Sequence, residues 1–276
     1  MSMADLRVLS LGAGVQSSTL ALMMERGEVE KPDAAIFADT KSEPRKVYEW
    51  LDWLEKQLSF PVYRVSKGNL KEDMLNFQDG SHKKSFKSVP LHLKNMKTGK
   101  TGILRRQCTT EYKIRPVVKK VRELLGVRYY KKVPRGTKVE MLMGISYDEL
   151  TRMRVNELPY IQNLYPLVDK KIRRTDCIDW MQQHDYPEPP RSACTFCPYH
   201  SAKEWKRIKQ NKEEWDEVIA IDRRIRKAKD SVSFIDYDLF LHRDCVPIET
   251  VDFDKKIAEK EHLLHRDEEC SGMCGV

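Results

Sequence analysis

No apolar run in this chain of 276 residues is long enough to cross a bilayer as a helix, which takes about 20 apolar residues. No secretory leader or transit peptide is expected either. The chain opens MSMADLRVLS, with Asp5 and no long apolar segment ahead of the first strand-like run. Internal repeats and low-complexity tracts are missing as well. These absences argue against a membrane partner and make the cytoplasm the expected location. What is present suits a globular protein: 40% hydrophobic and 33% charged residues, in a length that holds one sizeable domain or a domain with an appendage. The net charge of +8 favours an anionic ligand or partner, which fits a nucleotide enzyme and a nucleic-acid binder equally. Seven cysteines, one pair spaced C-x-x-C, suggest metal, iron–sulfur or redox work more than structural disulfides.

The first half alternates strand and helix signals. Residues 6–11 read as a strand, 16–26 as a helix, 34–38 as a strand and 61–65 as another. Between the last two, 43–58 carries Val47, Trp50, Leu51 and Leu54 on one helical stripe. Residues 139–145 form a later core strand. This order predicts an α/β fold, a Rossmann-like doubly wound parallel sheet that binds its ligand at the carboxyl ends of the strands. Residues 1–200 are read as that α/β domain and 201–276 as a helical C-terminal extension with a cysteine-bearing tail. A segment at 81–107 holds eight lysines and arginines and no acid, with Pro90, Gly99 and Gly102. It reads as a basic insertion or mobile loop: either a solvated surface or a contact for phosphate backbone. After Cys197 a single charged helix is expected from about Ala202 to Lys229, with Trp205, Ile208, Trp215, Val218, Ile219 and Ile225 facing inward.

The run from Ser10 through Gly12, Gly14, Gln16, Ser17 and Ser18 to Thr19 joins the first strand to the first helix. Glycines let the backbone approach closely, and amide N–H groups at a helix start attract phosphate or sulfate. The run is not G-x-G-x-x-G, because no third glycine follows, and it lacks the lysine of a Walker loop. A tight turn with an N-cap serine is the alternative. The second strand ends in Asp39-Thr40, with Glu43 at a helix start. Such an aspartate can bind a ribose hydroxyl, a base edge or Mg²⁺, or simply cap the helix. The strand at 139–145 ends at Gly144, followed by Ser146, Asp148, Glu149, Arg152 and Arg154. These charges can close over an anion, or cap a helix with the arginines pointing outward.

Cys194-x-x-Cys197 is a soft-metal signal, because two thiolates at that spacing can chelate one centre. Cys108 is the best third ligand; His200, Cys177, a tail cysteine or no protein group supplies the fourth. Spacing does not separate zinc from iron–sulfur. In the tail, Cys270 and Cys274 follow Asp267, Glu268 and Glu269. A terminal cysteine can swing into an active site, though a basic pocket would have to receive this acidic tail. An accessory metal ligand or a disordered end is the alternative.

Taken together, these residues resemble the phosphoadenosine phosphosulfate (PAPS) reductase family, of the adenine nucleotide alpha hydrolase-like fold. Gly14-Val15-Gln16-Ser17-Ser18 resembles its G-x-Q-small-small sulfonucleotide loop, and Phe37-Ala38-Asp39-Thr40 with Glu43 its D-T-G…E-T strand end. Gly144-Ile145-Ser146 with Asp148, Glu149 and Arg152 resembles G-I-R-x-x-E-S-x-x-R, with Ser146 in place of the arginine. Cys108 with Lys113 and Pro116, and Cys194 with Cys197, stand where iron–sulfur members carry cluster ligands, but Thr109 replaces an adjacent cysteine. Glu269-Cys270 resembles the E-C-G of the catalytic tail, with Ser271 in place of glycine.

The resemblance implies an adenine nucleotide as partner. It implies a 4Fe–4S cluster, with zinc as the alternative, and sulfur chemistry in which Cys270 attacks and Cys274 or an external thiol donor resolves. The sulfate or phosphate would lie on the 12–19 turn, and Arg152 with Lys113 or Arg115 would neutralise further charge. The same superfamily holds ATP pyrophosphatases with S-G-G-x-D-S loops, where Gln16 stands at the aspartate. Such an enzyme would cleave ATP with Mg²⁺ and modify or thiolate a nucleic acid bound by residues 81–106. A catalytically inactive nucleotide- or nucleic-acid-binding module is the third reading.

Overall fold

The computed structural model describes residues 4–75, 89–128, 130–227 and 237–263. In chain order the elements begin with β1 (Leu6–Leu11), α1 (Val15–Glu25), β2 (Ala34–Ala38), α2 (Arg45–Gln57), β3 (Val62–Val65) and α3 (Leu70–Leu75). Then come β4 (His92–Asn95), β5 (Thr101–Ile103), a π-helical turn (Thr109–Ile114), α4 (Arg115–Leu124), β6 (Val139–Met143) and a 3₁₀ turn (Tyr147–Arg152). They continue with β7 (Ile161–Leu164), α5 (Pro166–Asp169), α6 (Arg174–Gln183), α7 (Ala202–Gln210), α8 (Lys212–Lys227), β8 (Tyr237–Phe240) and α9 (Phe253–Leu263). These elements form two compact units. The first takes the chain as far as Lys67 and then Thr110–Ser192; the second takes Gly68–Thr109 and the chain from Ala193.

The first unit is the expected α/β fold. Its five strands run in the order β3-β2-β1-β6-β7, and every neighbouring pair is parallel. Side chains alternate across a strand, and here both faces are apolar. Leu9, Leu11, Ala35, Phe37 and Leu142 pack with α1, α2 and α6, while Val8, Ile36, Ala38, Met141 and Met143 pack with α4. Helices on both faces make the sheet doubly wound. From β1 the chain moves outward through β2 and β3, then returns to β6 on the other side of β1. That reversal between β1 and β6 is the switch point where such sheets bind ligands. Because all strands are parallel, the turn after Leu11, Asp39 after β2 and Gly144 after β6 share one sheet edge.

The contact at that edge is tight. A Cβ added to Gly144 would lie 2.6 Å from Ser17 Cα and 2.8 Å from both its N and Cβ. The end of β6 therefore rests directly on the first turn of α1, and only glycine fits there.

The second unit carries a three-stranded antiparallel sheet, β5-β4-β8, with α3, α7, α8 and α9. The described part of the basic segment is thus not a loop. Its residues form the β4–β5 hairpin, closed by Asn95, whose Oδ1 accepts from the N–H groups of Lys97 at 3.0 Å and Thr98 at 2.8 Å, and by Gly99 at φ 71°. Residues 81–88 of that segment lie outside the described residues. The single helix expected from Ala202 is two helices. Asn211 ends α7 in an extended conformation and accepts from the N–H groups of Glu213 at 3.1 Å and Glu214 at 3.3 Å, so it caps α8. Ile221 is buried on that face, while Ile219 is only half-buried. Asp222 is fully buried and accepts the Leu241 and Ile248 N–H groups, each at 3.1 Å, which ties α8 to the loop after β8. No helix among the described residues is long and apolar enough to cross a membrane.

Two outcomes follow from this packing. Gly144→Ala should cost about 1–3 kcal/mol by overpacking. Gly14→Ala, whose added Cβ meets nothing within 4 Å, should cost far less; urea unfolding of the two variants checks the contrast. The second concerns pH. His242 is buried against Phe253, and burial pushes its pKa from 6.5 down to about 4. The unfolded chain takes up that proton near 6.5 and the folded one only near 4. The unfolded state therefore binds more protons in that window, and stability should fall as pH drops through it. His92 is shifted down by burial too, so His242→Gln should reduce the slope of unfolding free energy against pH without abolishing it.

Candidate functional site

β1 ends at Leu11, and the chain enters α1 through Gly12-Ala13-Gly14. Ala13 sits at φ 56°, the left-handed region, which costs a non-glycine residue roughly 1–2 kcal/mol. Ser17 closes the turn: its Oγ accepts from the Gly12 N–H at 3.1 Å and donates to the Gly14 carbonyl at 3.4 Å. Gly14 is the N-cap residue of α1. No side chain caps the helix, and its first turn holds no acid. A helix start leaves amide N–H groups without intrahelical partners and carries about half a positive charge. An uncapped start at the switch point is complementary to an anion.

The hydroxyls of this turn have different tasks. Ser18 Oγ accepts from Trp50 Nε1 at 2.9 Å and is fully buried, so it bolts α1 to α2. Thr19 Oγ1 donates to the Val15 carbonyl at 2.9 Å inside the core. Ser10 lies within β1, half-buried, in register with Ile36 and Met143. Of the side chains expected to bind here, Gln16 reaches farthest. Its Nε2 donates to Glu149 Oε2 at 3.1 Å and to Ser146 Oγ at 3.4 Å, which links α1 to the turn after β6. Glu149 Oε1 in turn pairs with Arg152 Nη1 at 2.6 Å. Arg152 Nε is buried and makes no hydrogen bond among the described residues. Arg154 instead folds onto its own backbone, donating to the Thr151 and Met153 carbonyls at 2.8 and 2.7 Å.

At the end of β2, Asp39 is 3% exposed and engaged through both oxygens. Oδ1 accepts from the Lys41 N–H at 2.7 Å and from Tyr48 OH at 2.9 Å; Oδ2 pairs with Lys41 Nζ at 2.8 Å. Burial, with the Asp39 charge beside it, pushes the Tyr48 phenol well above its ordinary value of 10.0. Thr40 is buried next to it. Glu43 has a fully buried side chain 3.6 Å from Lys113 Nζ and accepts from Ser192 Oγ at 3.2 Å. Tyr48 and Ser192 were not singled out in the sequence, because neither belongs to a spaced motif. Trp50 read only as part of an apolar stripe.

The three candidate metal cysteines, Cys108, Cys194 and Cys197, all belong to the second unit, and none is in a disulfide. Cys194 and Cys197 flank a tight turn in which the Cys197 N–H donates to the Cys194 carbonyl at 3.0 Å. His200 Nε2 lies 2.9 Å from that same carbonyl, so this nitrogen carries its proton toward the backbone and not a lone pair toward a metal. The donors are right in kind for a soft metal. Among the described residues, however, no three His, Cys, Asp or Glu side chains are gathered to hold one. Cys177 packs in the core of the first unit, where burial pushes its thiol up to about 12. Cys270 and Cys274 lie outside the described residues. Pockets of about 430 Å³, along α7 and the start of α9, and about 280 Å³, between α1 and α6, are lined by none of Gln16, Asp39 and Arg152.

No family model matches the sequence, and no curated protein matches it. Among solved structures, the chain is similar to the phosphoadenylyl-sulfate (PAPS) reductase from Candida auris, determined as a phosphate complex. The identity is 15%, the match covers 68% of this chain and 76% of that one, and the TM-score is 0.42.

Proposed function

We propose that this chain binds an adenine nucleotide at the shared edge of β1, β2 and β6 and acts on it as a sulfonucleotide reductase-like enzyme. The observation that carries the nucleotide reading is the uncapped start of α1 at the switch point, with the Arg152 guanidinium linked to the same turn through Glu149 and Gln16. A phosphate or sulfate on the α1 amides would take up the helix dipole, and Arg152 would supply a full positive charge. Asp39, held rigidly by Lys41 and Tyr48, would shape the neighbouring side of the pocket. The order of motifs that resembles the PAPS reductases supports the sulfur chemistry. The Cys270 thiolate would attack the sulfate sulfur, breaking its bond to the nucleotide phosphate and forming a thiosulfonate. Cys274 or an external thiol would then attack the Cys270 sulfur, releasing sulfite and leaving a disulfide, so two thiols supply the two electrons. Cys108, Cys194 and Cys197 would hold a soft metal, a 4Fe–4S cluster or zinc, should they draw together.

The eight-cation segment favours a second reading, in which a nucleic acid binds along it and ATP is cleaved to AMP and pyrophosphate with Mg²⁺. Lys94, Lys97 and Lys100 lie on or beside the β4–β5 hairpin.

Calorimetric titration with AMP tests the binding site. Arg152→Gln should weaken binding about 10- to 100-fold, the worth of one charged hydrogen-bonding group. Turnover assays test the chemistry. Cys270→Ser should abolish sulfite release from a sulfonucleotide and leave its affinity intact. Sulfite release that persists in this variant removes the tail from the mechanism. Pyrophosphate release from ATP, seen only with nucleic acid and Mg²⁺, would establish the second reading instead. Iron, sulfide and zinc assays on anaerobically purified protein, repeated for Cys194→Ala, report on the metal.

A further inference from the structure

We infer that Glu149 is a competitor for the anion position built into the site itself: its carboxylate holds the Gln16 amide and the Arg152 guanidinium until the ligand's oxyanion takes them over. The inference rests on the adenine-nucleotide reading and adds a residue that sets which anions are accepted.

The geometry is that of a carboxylate standing where an oxyanion would. Glu149 Oε2 takes the Gln16 amide on the first turn of α1, and Oε1 takes Arg152. The two side chains are only 13% and 18% exposed, so the pair is poorly screened by salt and water. The 3₁₀ turn is non-helical at Glu149 itself, with φ −112° and ψ 26°.

A second ion pair in the same protein shows what a purely structural pairing looks like. Glu204 and Arg207 have the same three-residue spacing, and there the guanidinium grips one carboxylate oxygen with two nitrogens, Nε at 3.0 Å and Nη2 at 2.7 Å. Arg152 grips Glu149 through Nη1, while its Nε stays buried without a hydrogen bond among the described residues. An orphaned buried donor costs about 1–3 kcal/mol. A tetrahedral oxyanion has enough oxygens to meet the Nε edge of the Arg152 guanidinium, the Gln16 amide and the helix amides together, which the Glu149 carboxylate does not do. Binding then exchanges one acid for another. Glu149, displaced but close by, repels a dianion more than a monoanion.

The test is calorimetric titration of the full chain with inorganic phosphate and with AMP. Glu149→Gln, which keeps the shape and removes the charge, should bind both probes about tenfold tighter than the parent chain, equivalent to about 1.4 kcal/mol. Glu149→Ala should shift affinity in the same direction, which guards against a folding defect in either variant. The gain should disappear when Glu149→Gln is combined with Arg152→Gln and compared with Arg152→Gln alone, because the competition runs through Arg152. Unchanged or weaker binding by both Glu149 variants, with the parent binding normally, would overturn the inference and leave the nucleotide site standing. A gain that survives in the Arg152→Gln background overturns it as well. Binding by Glu149→Gln but not by the parent would support the competitor strongly. If neither protein binds either probe, the nucleotide reading and the inference fall together.

Discussion

Position 144 has no room for a methyl group, and the rest of the site depends on that. With hydrogen there, the end of β6 comes down onto Ser17 in the first turn of α1. Ser17 meanwhile closes the turn that leaves β1. One serine thus fixes the two strands on either side of the switch point relative to each other. Gln16, beside it, then reaches Ser146 and Glu149 across the gap. A larger residue would push β6 outward by the better part of an ångström, and these bonds would stretch together.

The acids around the edge are paired within the protein. Asp39 is matched by Lys41, Glu43 by Lys113 and Glu149 by Arg152. Buried charge is tolerated only when it is paired and hydrogen-bonded, and each of these acids has a partner within the fold. A ligand therefore does not find a bare patch of positive charge. On the proposed reading it would meet rigid carboxylates on the β2 side and an exchangeable one on the β6 side.

The central sheet was largely legible in the sequence, for a physical reason. β1 and β2 are buried on both faces, so their apolar runs have sharp ends, and their bounds agree with the pattern residue for residue. α2 showed its stripe because one side faces water. The β4–β5 hairpin was not legible. Its strands are four and three residues long, the first carries Lys94, and they are completed by β8 far along the chain. The break at Asn211 was missed because the apolar spacing continues through it, while the capping side chain acts on backbone amides that leave no periodic trace. The glycines, Gln16, Asp39, Gly144 and Arg152 were picked out by order and spacing. What Gln16 touches, and that Ser18 serves Trp50, depended on contacts across the sheet that no local pattern encodes.

The second unit is discontinuous in sequence, which bears on how the chain is made. β4 pairs His92 with Phe240, a contact whose partners are separated by the whole of Thr110–Ser192. Closing so long a loop costs entropy that grows only slowly with length, but non-local pairing is intrinsically slow. As the chain leaves the ribosome, β4 and β5 emerge first, and a two-stranded hairpin is marginal in water by itself. Until Tyr237–Phe240 are synthesised, β4 offers an unpaired edge to any neighbouring strand. The hazard of this architecture is therefore one of timing: a polypeptide stalled or cut before β8 exposes backbone that the finished protein never shows.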